Sequence, residues 1–268
     1  MRDIIRILSS NRILEVLEKL SCSPKTKNEL KNSIGISSSH LAQILHKMSS
    51  LGLIKEKGNT VSILPKGEYM LSICHTIKAH EDFLGEFGRY INMYILEDIP
   101  EYLVARFYEL REISIVERRA DVYLPHEEFM KNLVDSKVIY IYASVFSPQY
   151  INMFSGFAEE GRNIEIIVSK DVIRAMIEYY KNNFDEFRLK FENVKFYVSN
   201  KNFRFSFVVT DNFFSISFFL KSGIFDYKRD FMCFSKDCIR WGLDLFNYVK
   251  QRSSKVDVEK LKESTLNL

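Results

Sequence analysis

Several short polar and basic side chains between residues 38 and 47 have the types and spacing needed to contact nucleic acid. Hydroxyl, amide, imidazole and ammonium groups bind base edges and phosphates, and short side chains let a helix approach the floor of a major groove. The residues are Ser38, Ser39, His40, Gln43, His46 and Lys47. At helical spacing they share one face, so the pattern predicts double-stranded DNA as a partner.

A helix that begins after Ser37 has to carry this polar face. Ser37 is a favourable N-cap, and Gly52 supplies a left-handed turn at the other end. Upstream, residues 26–29 have the form of a capping box, which predicts a short helix over residues 27–33, and Gly35 makes the turn between the two helices. The opposite face of the second helix is apolar, with Leu41, Ile44, Leu45, Met48 and Leu51.

Two short β-type runs, 53–57 and 61–64, flank Gly58-Asn59 and predict a hairpin. An amphipathic helix over residues 11–20 provides the remaining core helix. Helix, turn, helix and hairpin in this order form a winged helix, which we predict over residues 1–66. The predicted DNA contacts outside the recognition helix are Lys25, Thr26, Lys55, Lys57 and Asn59.

The charge of the chain is distributed unevenly. Residues 1–66 hold 11 Lys and Arg against 5 Asp and Glu, a net charge of +6, although the whole chain has a net charge of only +3. A basic module on a slightly acidic body suits phosphate binding, because neutralised phosphates release condensed counterions. Some winged helices dock on proteins instead, so a protein-interaction adaptor remains the alternative.

A long helical pattern follows the hairpin and is predicted to be a linker over residues 67–98. Its apolar positions are Met70, Ile73, Ile77, Leu84, Phe87, Ile91 and Ile95. The pattern is longer than one small core needs, and DNA presents half-sites about one helical turn apart. We therefore predict a homodimer formed through this helix; the alternative is a helix that packs only within its own chain.

Residues 99–253 are predicted to form an α/β domain, followed by a tail at residues 254–268. Strands at 138–143, 164–168 and 194–198 alternate with helices, which predicts right-handed crossovers and a mainly parallel sheet. Runs 203–210 and 213–220 around Asp211-Asn212 form an antiparallel hairpin that extends the sheet. Pro100 is predicted to start a short helix. Three longer helices are predicted over residues 148–160, 171–191 and 236–252, and Asp171 is the predicted cap of the second.

The carboxyl ends of the parallel strands are the predicted place for a small effector. Helix N-termini point free N–H groups at this edge of a parallel sheet. The predicted effector-binding residues are Ser144, Phe146, Ser147, Ser169 and Lys170. They suit a small polar or anionic molecule beside one apolar wall. The alternative is that the serines and Asp171 only cap helices.

Two sets of motifs resemble known families. Gly35-Ile36-Ser37, Leu51-Gly52-Leu53-Ile54 and Leu64-Pro65-Lys66-Gly67 resemble the winged helix-turn-helix of archaeal and bacterial ArsR-type regulators. A second set resembles archaeal regulators that carry the middle domain named after the methanogenesis-regulatory protein: Ile99 to Leu103 with Glu109-Leu110, Ser144 to Pro148, Gly223 to Asp226, and Trp241 to Phe246. The resemblance covers nearly the whole chain and implies an archaeal transcription regulator whose effector is generally not assigned.

The body is also similar in outline to phospholipase-D-like sheets, but the residue pattern argues against catalysis. That chemistry needs a histidine nucleophile with a second histidine as acid, and His126 is the only histidine beyond residue 80. The sequence contains no phosphate-binding glycine loop or nucleophile elbow. We therefore predict a non-enzymatic regulator without a cofactor.

The four cysteines, at positions 22, 74, 233 and 238, are too few and too scattered for a disulfide framework and are expected to be reduced. Cys74 with His75 and His80 leaves a metal or redox sensor as an alternative, although the two histidines do not share a helix face. No apolar run is long enough to span a bilayer and no signal peptide is recognisable, so the expected location is the cytoplasm.

Overall fold

The computed structural model describes residues 10–117, 127–182 and 194–256. The chain divides into two compact units, Met1–Glu81 and Asp82–Leu268. The finer division predicted at residues 66, 98 and 253 stays a prediction. Residues 257–268 of the tail predicted over 254–268 fall outside the described residues. The same holds for residues 183–191 of the helix predicted over 171–191.

The described first unit contains a cluster of short helices and a small sheet. In chain order these are α1 (Asn11–Cys22), β1 (Lys25–Thr26), α2 (Lys27–Ile34), α3 (Ser38–Ser50), β2 (Ile54–Lys57), β3 (Thr60–Ile63) and the start of α4 (Pro65–Ile91). Strands β2 and β3 pair antiparallel, and β1 adds to β3. The predicted helices and hairpin are present, whereas the two-residue strand β1 carried no sequence signal.

Local hydrogen bonds fix the helix boundaries in this unit. The Thr26 hydroxyl accepts from the Glu29 N–H while the Glu29 carboxylate accepts from the Thr26 N–H, so the capping box that starts α2 is confirmed. Helix α2 ends at Gly35, whose φ of +70° lies in the left-handed region that favours glycine. Ser37 then caps α3, as predicted.

The second unit begins within α4 and contains one large sheet. Its elements are α5 (Glu101–Val104), a 3₁₀ turn (Phe107–Leu110), β4 (Ser114–Glu117), α6 (Glu127–Val134), β5 (Val138–Ala143), α7 (Pro148–Glu159), β6 (Asn163–Val168), α8 (Lys170–Tyr180), β7 (Lys195–Ser199), β8 (Phe205–Thr210), β9 (Phe214–Phe218), β10 (Arg229–Cys233), α9 (Lys236–Lys250) and β11 (Ser253–Lys255). The described strands lie in the order β11-β7-β6-β5-β8-β9-β10-β4.

The prediction of a mainly parallel sheet was wrong. Only β5 with β6 and β6 with β7 pair parallel, and the five other pairs of described strands are antiparallel. The sequence pattern identified the three strands joined by helices, but it missed β4, β10 and β11. These strands have three to five residues and include charged side chains, so they lack a long apolar run.

Two further expectations were wrong. Helix α8 is capped by Ser169, whose hydroxyl accepts from the Val172 N–H at 3.2 Å, and not by Asp171, which lies inside the first turn. Cys233 and Cys238 form a disulfide rather than two free thiols. The first of them ends β10 and the second lies in the first turn of α9, and a tight strand-to-helix connection brings them together.

The two faces of the sheet carry separate cores. One face packs against α6, α7 and α8, and its core includes Ile139, Ile141, Ile164, Ile166 and Phe196. The other face packs against α9 and the end of α4, and its core includes Phe205, Phe207, Phe214, Phe231 and Trp241. Fully burying each large apolar side chain contributes about 1.5–3 kcal/mol.

Buried carboxylates in the second unit are held by basic side chains. Asp98, for example, accepts from Arg204 Nε at 2.8 Å and lies 2.8 Å from Lys201 Nζ. Burial alone would raise the pKa of Asp98, but the hydrogen bonds from Arg204 and Lys201 outweigh it and keep that pKa below its ordinary value. The charged form is therefore the stable one in the fold.

Two glycines in helices of the second unit give a test of this packing. A Cβ on Gly242 in α9 would lie 2.5 Å from the buried Phe214 ring, whereas a Cβ on Gly156 in α7 would meet nothing within 4 Å. We expect Gly242→Ala to lower the free energy of unfolding by about 1–3 kcal/mol through overpacking. We expect Gly156→Ala to raise it by about 0.4–1 kcal/mol.

Urea unfolding followed by fluorescence measures both effects, because the single tryptophan, Trp241, is buried in the second unit. Equal stability of the Gly242→Ala and Gly156→Ala proteins would contradict the close contact between Gly242 of α9 and the Phe214 ring.

Candidate nucleic-acid interface and ligand cavity

The predicted recognition helix, α3, has one buried and one exposed face. Leu41, Ile44, Leu45 and Met48 anchor it in the core of the first unit. The Ser37 hydroxyl accepts from the His40 N–H at 3.2 Å and fixes its first turn. All of the predicted contacts on this helix are exposed: Ser38, Ser39, His40, Gln43 and Lys47. The helix is therefore held by its apolar face while its polar face stays accessible.

The hairpin after α3 carries two further exposed lysines. Side chains alternate along a strand, so Lys55 and Lys57 point to one face and Glu56 to the other. Glu56 is neutralised there, because its Oε2 lies 2.6 Å from Lys27 Nζ. Among the described residues, no carboxylate lies within ion-pair distance of Lys47, Lys55 or Lys57. Three cationic groups of the predicted interface are thus left for a partner.

Three predicted contacts have local roles in the structure. The Thr26 hydroxyl donates to Glu29 Oε2 at 2.7 Å as well as capping α2, so both of its hydrogen-bonding functions are used. These bonds from Thr26 also hold the pKa of Glu29 below its ordinary value. Lys25 Nζ donates to Ser23 Oγ at 3.2 Å, and the Asn59 carbonyl accepts from the Lys27 N–H at 3.0 Å. The side chain of Asn59 is exposed beside the hairpin turn.

The second unit contains a cavity of about 520 Å³ beside the carboxyl end of β5. Of the predicted effector-binding residues, Phe146 and Ser147 line it. Ser144 is not part of the lining. Its Oγ lies 2.7 Å from the Oγ of Ser206, and Ser206 lines the cavity. Ser169 is buried as the cap of α8, and the Lys170 N–H donates to Asn202 Oδ1 at 3.3 Å; neither is part of the lining. The structure therefore places part of the predicted set at the cavity.

A row of polar side chains that the sequence analysis missed forms one side of this cavity. Ser206 on β8 lies opposite Ser217 on β9, and the Ser217 hydroxyl donates to Asp230 Oδ1 on β10 at 2.5 Å. Ser217 is 9% exposed and Asp230 is 4% exposed. The alternation of aromatic residues and serines in 205–207 and 214–218 was the available signal, because it places all the hydroxyls on one sheet face.

The other side of the cavity is apolar and largely aromatic. Its rings come from α6, the segment after β5, α7 and β7, and belong to Phe129, Phe146, Tyr150, Phe154 and Phe196. Phe129 and Tyr150 meet edge to face with centroids 6.2 Å apart. An apolar wall facing a few convergent polar groups is the usual composition of a small-molecule site.

The residues considered for metal sensing are not arranged for it. Within residues 10–117, 127–182 and 194–256, no three His, Cys, Asp or Glu side chains are grouped so as to hold a metal ion. Cys74 is buried in the core of the first unit, and this burial raises the pKa of its thiol. His75 Nε2 lies 3.6 Å from Glu18 Oε1 on α1. No helix within the described residues could cross a bilayer.

The fold and site thus define a two-unit protein with a basic helical module and a ligand-sized cavity in a mixed α/β unit. Residues 122–252 match the family model described as the middle domain of methanogenesis regulatory protein FilR1. The chain is also 19% identical over 265 residues to the methanogenesis regulatory protein FilR1 of Methanothrix harundinacea (strain 6Ac). That alignment covers 94% of this chain and 58% of the relative, so the chain spans less than two thirds of the relative's length.

Two solved structures show a more distant similarity. TrmBL2, described as an archaeal chromatin protein with a novel mode of DNA binding, is 11% identical with a TM-score of 0.42, over 95% of this chain and 99% of that chain. Nuc from Salmonella typhimurium, a phospholipase D family member, is 10% identical with a TM-score of 0.40, over 54% of this chain and 99% of that chain. Both TM-scores are low, and neither similarity establishes the fold or function of this chain.

Two serines on the cavity face of β9 give a test of the polar row. Ser217 donates to the buried Asp230 carboxylate, whereas the hydroxyl of Ser215, two residues earlier on the same face, makes no hydrogen bond to a described residue. We expect Ser217→Ala to lower the free energy of unfolding by about 1–3 kcal/mol, because the buried carboxylate loses the hydrogen bond that Ser217 donates. Ser215→Ala should stay within about 0.5 kcal/mol of the parent.

Urea unfolding monitored by Trp241 fluorescence compares the two variants. Equal effects of the two substitutions would show that the Ser217–Asp230 hydrogen bond does not organise this face of the sheet.

Proposed function

We propose that this protein is a DNA-binding transcription regulator. In this proposal the first unit is a winged helix that binds DNA, and the second unit binds a small effector. The observation that carries the proposal is the exposed polar face of α3 beside three lysines that no described carboxylate neutralises. The similarity to a methanogenesis regulatory protein supports the same class of function.

The proposed DNA contacts divide into two kinds. Helix α3 enters the major groove, where the hydroxyls of Ser38 and Ser39 and the amide of Gln43 reach base edges. Lys47 at the end of α3, and Lys55 and Lys57 on the hairpin, bind phosphates and fix the register without reading sequence. The Lys27–Glu56 pair keeps the hairpin acid away from the DNA-facing side.

Removing two of the lysines tests the electrostatic part of the proposal. We expect Lys47→Ala with Lys55→Ala to weaken binding to fragmented genomic DNA for all sequences. The slope of log affinity against log salt should fall in magnitude by about 1 for each lost phosphate contact. Fluorescence anisotropy at several salt concentrations measures both quantities.

Lys78→Ala is the matched control for this experiment, because it removes one exposed lysine from α4, outside the proposed interface. It should leave the salt slope unchanged. A parent protein with a flat salt dependence would contradict DNA binding and favour the protein-docking alternative for the winged helix.

We also propose that the protein is a homodimer and that α4 contributes to its interface. Met70 and Phe87 in the predicted apolar stripe are buried in cores of their own chain, so the stripe as a whole does not require a partner. Within the first unit, however, Tyr69 is 67% exposed and Ile77 is 38% exposed. Residues four apart drift by only about 40° around a helix, so Tyr69, Ile73 and Ile77 form one stripe. A two-fold dimer would match two DNA half-sites.

Charge placed on this stripe tests the dimer. We expect Ile77→Glu to shift the protein from dimer to monomer, because a buried, unpaired carboxylate is costly in an interface. Sedimentation equilibrium measures the mass.

Lys78→Glu places a carboxylate on α4 at about 180° from Tyr69 and about 140° from Ile73 around the helix, and it should leave the mass unchanged. Two variants with the same mass, whether monomer or dimer, would contradict this interface.

The proposed effector site is the cavity of the second unit, with Phe146 and Ser147 in its lining. Ser144 contributes indirectly, through its hydrogen bond with Ser206 in the lining. In the proposed mechanism the effector binds more tightly to one of two arrangements of the regulator and so changes the population that is competent to bind DNA. In this proposal Ser169 and Lys170 do not contact the effector. They fix the first turn of α8, Ser169 as its cap and Lys170 through the hydrogen bond of its N–H to Asn202.

A further inference from the structure

Three serines of β8 and β9 line the cavity from the same face of the sheet, and we call Ser206, Ser215 and Ser217 the serine row. Two of them are used within the protein. The Ser206 hydroxyl lies 2.7 Å from the hydroxyl of Ser144. The Ser217 hydroxyl donates to Asp230. Ser215 is the exception, because its hydroxyl makes no hydrogen bond to any residue that the structure describes.

The neighbouring strands offer Ser215 no polar partner. Its register partners are Val208 on β8 and Met232 on β10, and both side chains are apolar. Ser215 is only 5% exposed, so bulk water has little access to it. A buried hydroxyl without a partner is unfavourable by about as much as a lost hydrogen bond. The cavity that Ser215 lines is therefore the place from which a hydrogen-bonding partner can reach it.

The register of the strands also gives the depth of this hydroxyl in the cavity. Val208 pairs with Ser215 on one side and with Ile141 of β5 on the other. Ser215 is thus level with Ile141, two residues before Ala143, where β5 ends. A ligand group that bonds to Ser215 has to lie on the floor of the cavity, and the rest of the ligand meets the side chains that cover the sheet.

Helices α6 and α7 cover this face of the sheet and present aromatic rings to the same space. Phe129 of α6 and Tyr150 and Phe154 of α7 line the cavity. The rings of Tyr150 and Phe154 are stacked with centroids 6.2 Å apart. Flat apolar bodies pack well against such rings. A volume of about 520 Å³ accommodates a molecule of drug-like size or smaller.

The free polar group on the cavity floor is a hydroxyl and not a charge. Among the described residues of the lining, Asp230 is the one charged side chain, and it is already engaged within the protein by Ser217 and by a further interaction. A charged ligand group that leaves water needs an opposite charge beside it. A hydroxyl both donates and accepts, so it suits an uncharged oxygen or nitrogen group.

We infer that this cavity binds an uncharged, largely aromatic molecule whose hydrogen-bonding group contacts Ser215 and whose ring body packs against the rings of α6 and α7. This inference rests on the proposed effector site. It replaces the polar or anionic effector expected from the sequence with an uncharged and mostly apolar one. Ser215 sets the orientation of the ligand, because the other two hydroxyls of the serine row are used within the protein.

A matched series of probes on the intact chain tests the charge requirement. Phenethyl alcohol, phenethylamine and hydrocinnamate share a phenyl body but carry uncharged, cationic and anionic ends at neutral pH. We expect the alcohol to bind at least about tenfold more tightly than either charged compound. Isothermal titration calorimetry at constant ionic strength measures the three affinities. Equal or tighter binding of a charged compound, or no binding of the alcohol at millimolar concentration, would overturn the inference.

Removing the Ser215 hydroxyl tests the orientation of the ligand. Ser215→Ala should weaken the binding of phenethyl alcohol by about three- to tenfold, the effect of one hydrogen bond. Ethylbenzene, which has the ring body but no hydrogen-bonding group, should bind the parent and Ser215→Ala proteins equally. Calorimetry with both ligands and both proteins measures the difference.

Ser254→Ala is the control, because it removes an exposed hydroxyl from β11, outside the described cavity lining. It should keep the parent affinity for both ligands. An unchanged affinity of Ser215→Ala for the alcohol, or an equal loss for both ligands, would contradict the hydrogen bond to Ser215. Failure of ethylbenzene to bind the parent protein would contradict the packing of the ring body. The probe series on the parent protein does not depend on the folding of any variant.

DNA binding by the same preparations separates this inference from the proposed function. Binding of phenethyl alcohol that depends on Ser215 but leaves DNA affinity unchanged would support the ligand class and contradict the role of the cavity as an effector site. Salt-dependent DNA binding without any preference for the uncharged probe would overturn this inference and leave the DNA-binding proposal standing.

Discussion

The alternation of side chains along β8 and β9 determines what each face of the second unit can do. Phe205, Phe207 and Phe214 point to the face that packs on Trp241 and α9, while Ser206 and Ser217 point to the other face. Because strand side chains alternate strictly, the same residues that fill one core leave short hydroxyls opposite. Helices α6 to α8 supply the larger side chains over the neighbouring parallel strands, and the serines leave room for a cavity bounded by rings on one side and polar groups on the other.

In the first unit, some polar side chains are used within the fold and others are left exposed. Thr26, Glu29 and Ser37 are used to start helices, and Glu56 is used to neutralise Lys27. The hydrogen bonds of Thr26, Glu29 and Ser37 are local and fix the starts of α2 and α3, while the Lys27–Glu56 ion pair connects α2 with β2. The lysines that remain on α3 and β2 are therefore held on ordered backbone. A cation on ordered backbone loses less conformational freedom on binding phosphate than a cation on a flexible segment does. The basic charge of the module is therefore presented in a form suited to a structured nucleic acid.

The sequence predicted the features that depend on neighbouring residues and missed those that depend on distant ones. The capping box at residues 26–29, the Ser37 cap and the strand at 138–143 have local causes, and the structure has them as predicted. The β8–β9 hairpin also has a local cause, its turn, and was predicted. The pairing of β8 with β5 and the addition of β10 and β4 have no local cause, so they could not be predicted from the sequence. This antiparallel part of the sheet explains why the effector residues were only partly placed. The rule for parallel sheets pointed to the loops after β5 and β6, whereas the cavity extends over β8 to β10, where the polar row lies.

A ligand in this cavity can control DNA binding only through a difference in its affinity for two states of the regulator. A tenfold change in DNA affinity requires a coupling free energy of about 1.4 kcal/mol, and linkage requires DNA to change the ligand affinity by the same factor. Hydrogen bonds between a ligand and the serine row are well suited to supply it. Hydrogen bonds in a water-poor site depend steeply on distance and alignment, so a small shift of β10 against β9 would change ligand affinity appreciably. The Ser217–Asp230 bond, which joins these two strands at the cavity, is where such a shift would have its largest effect.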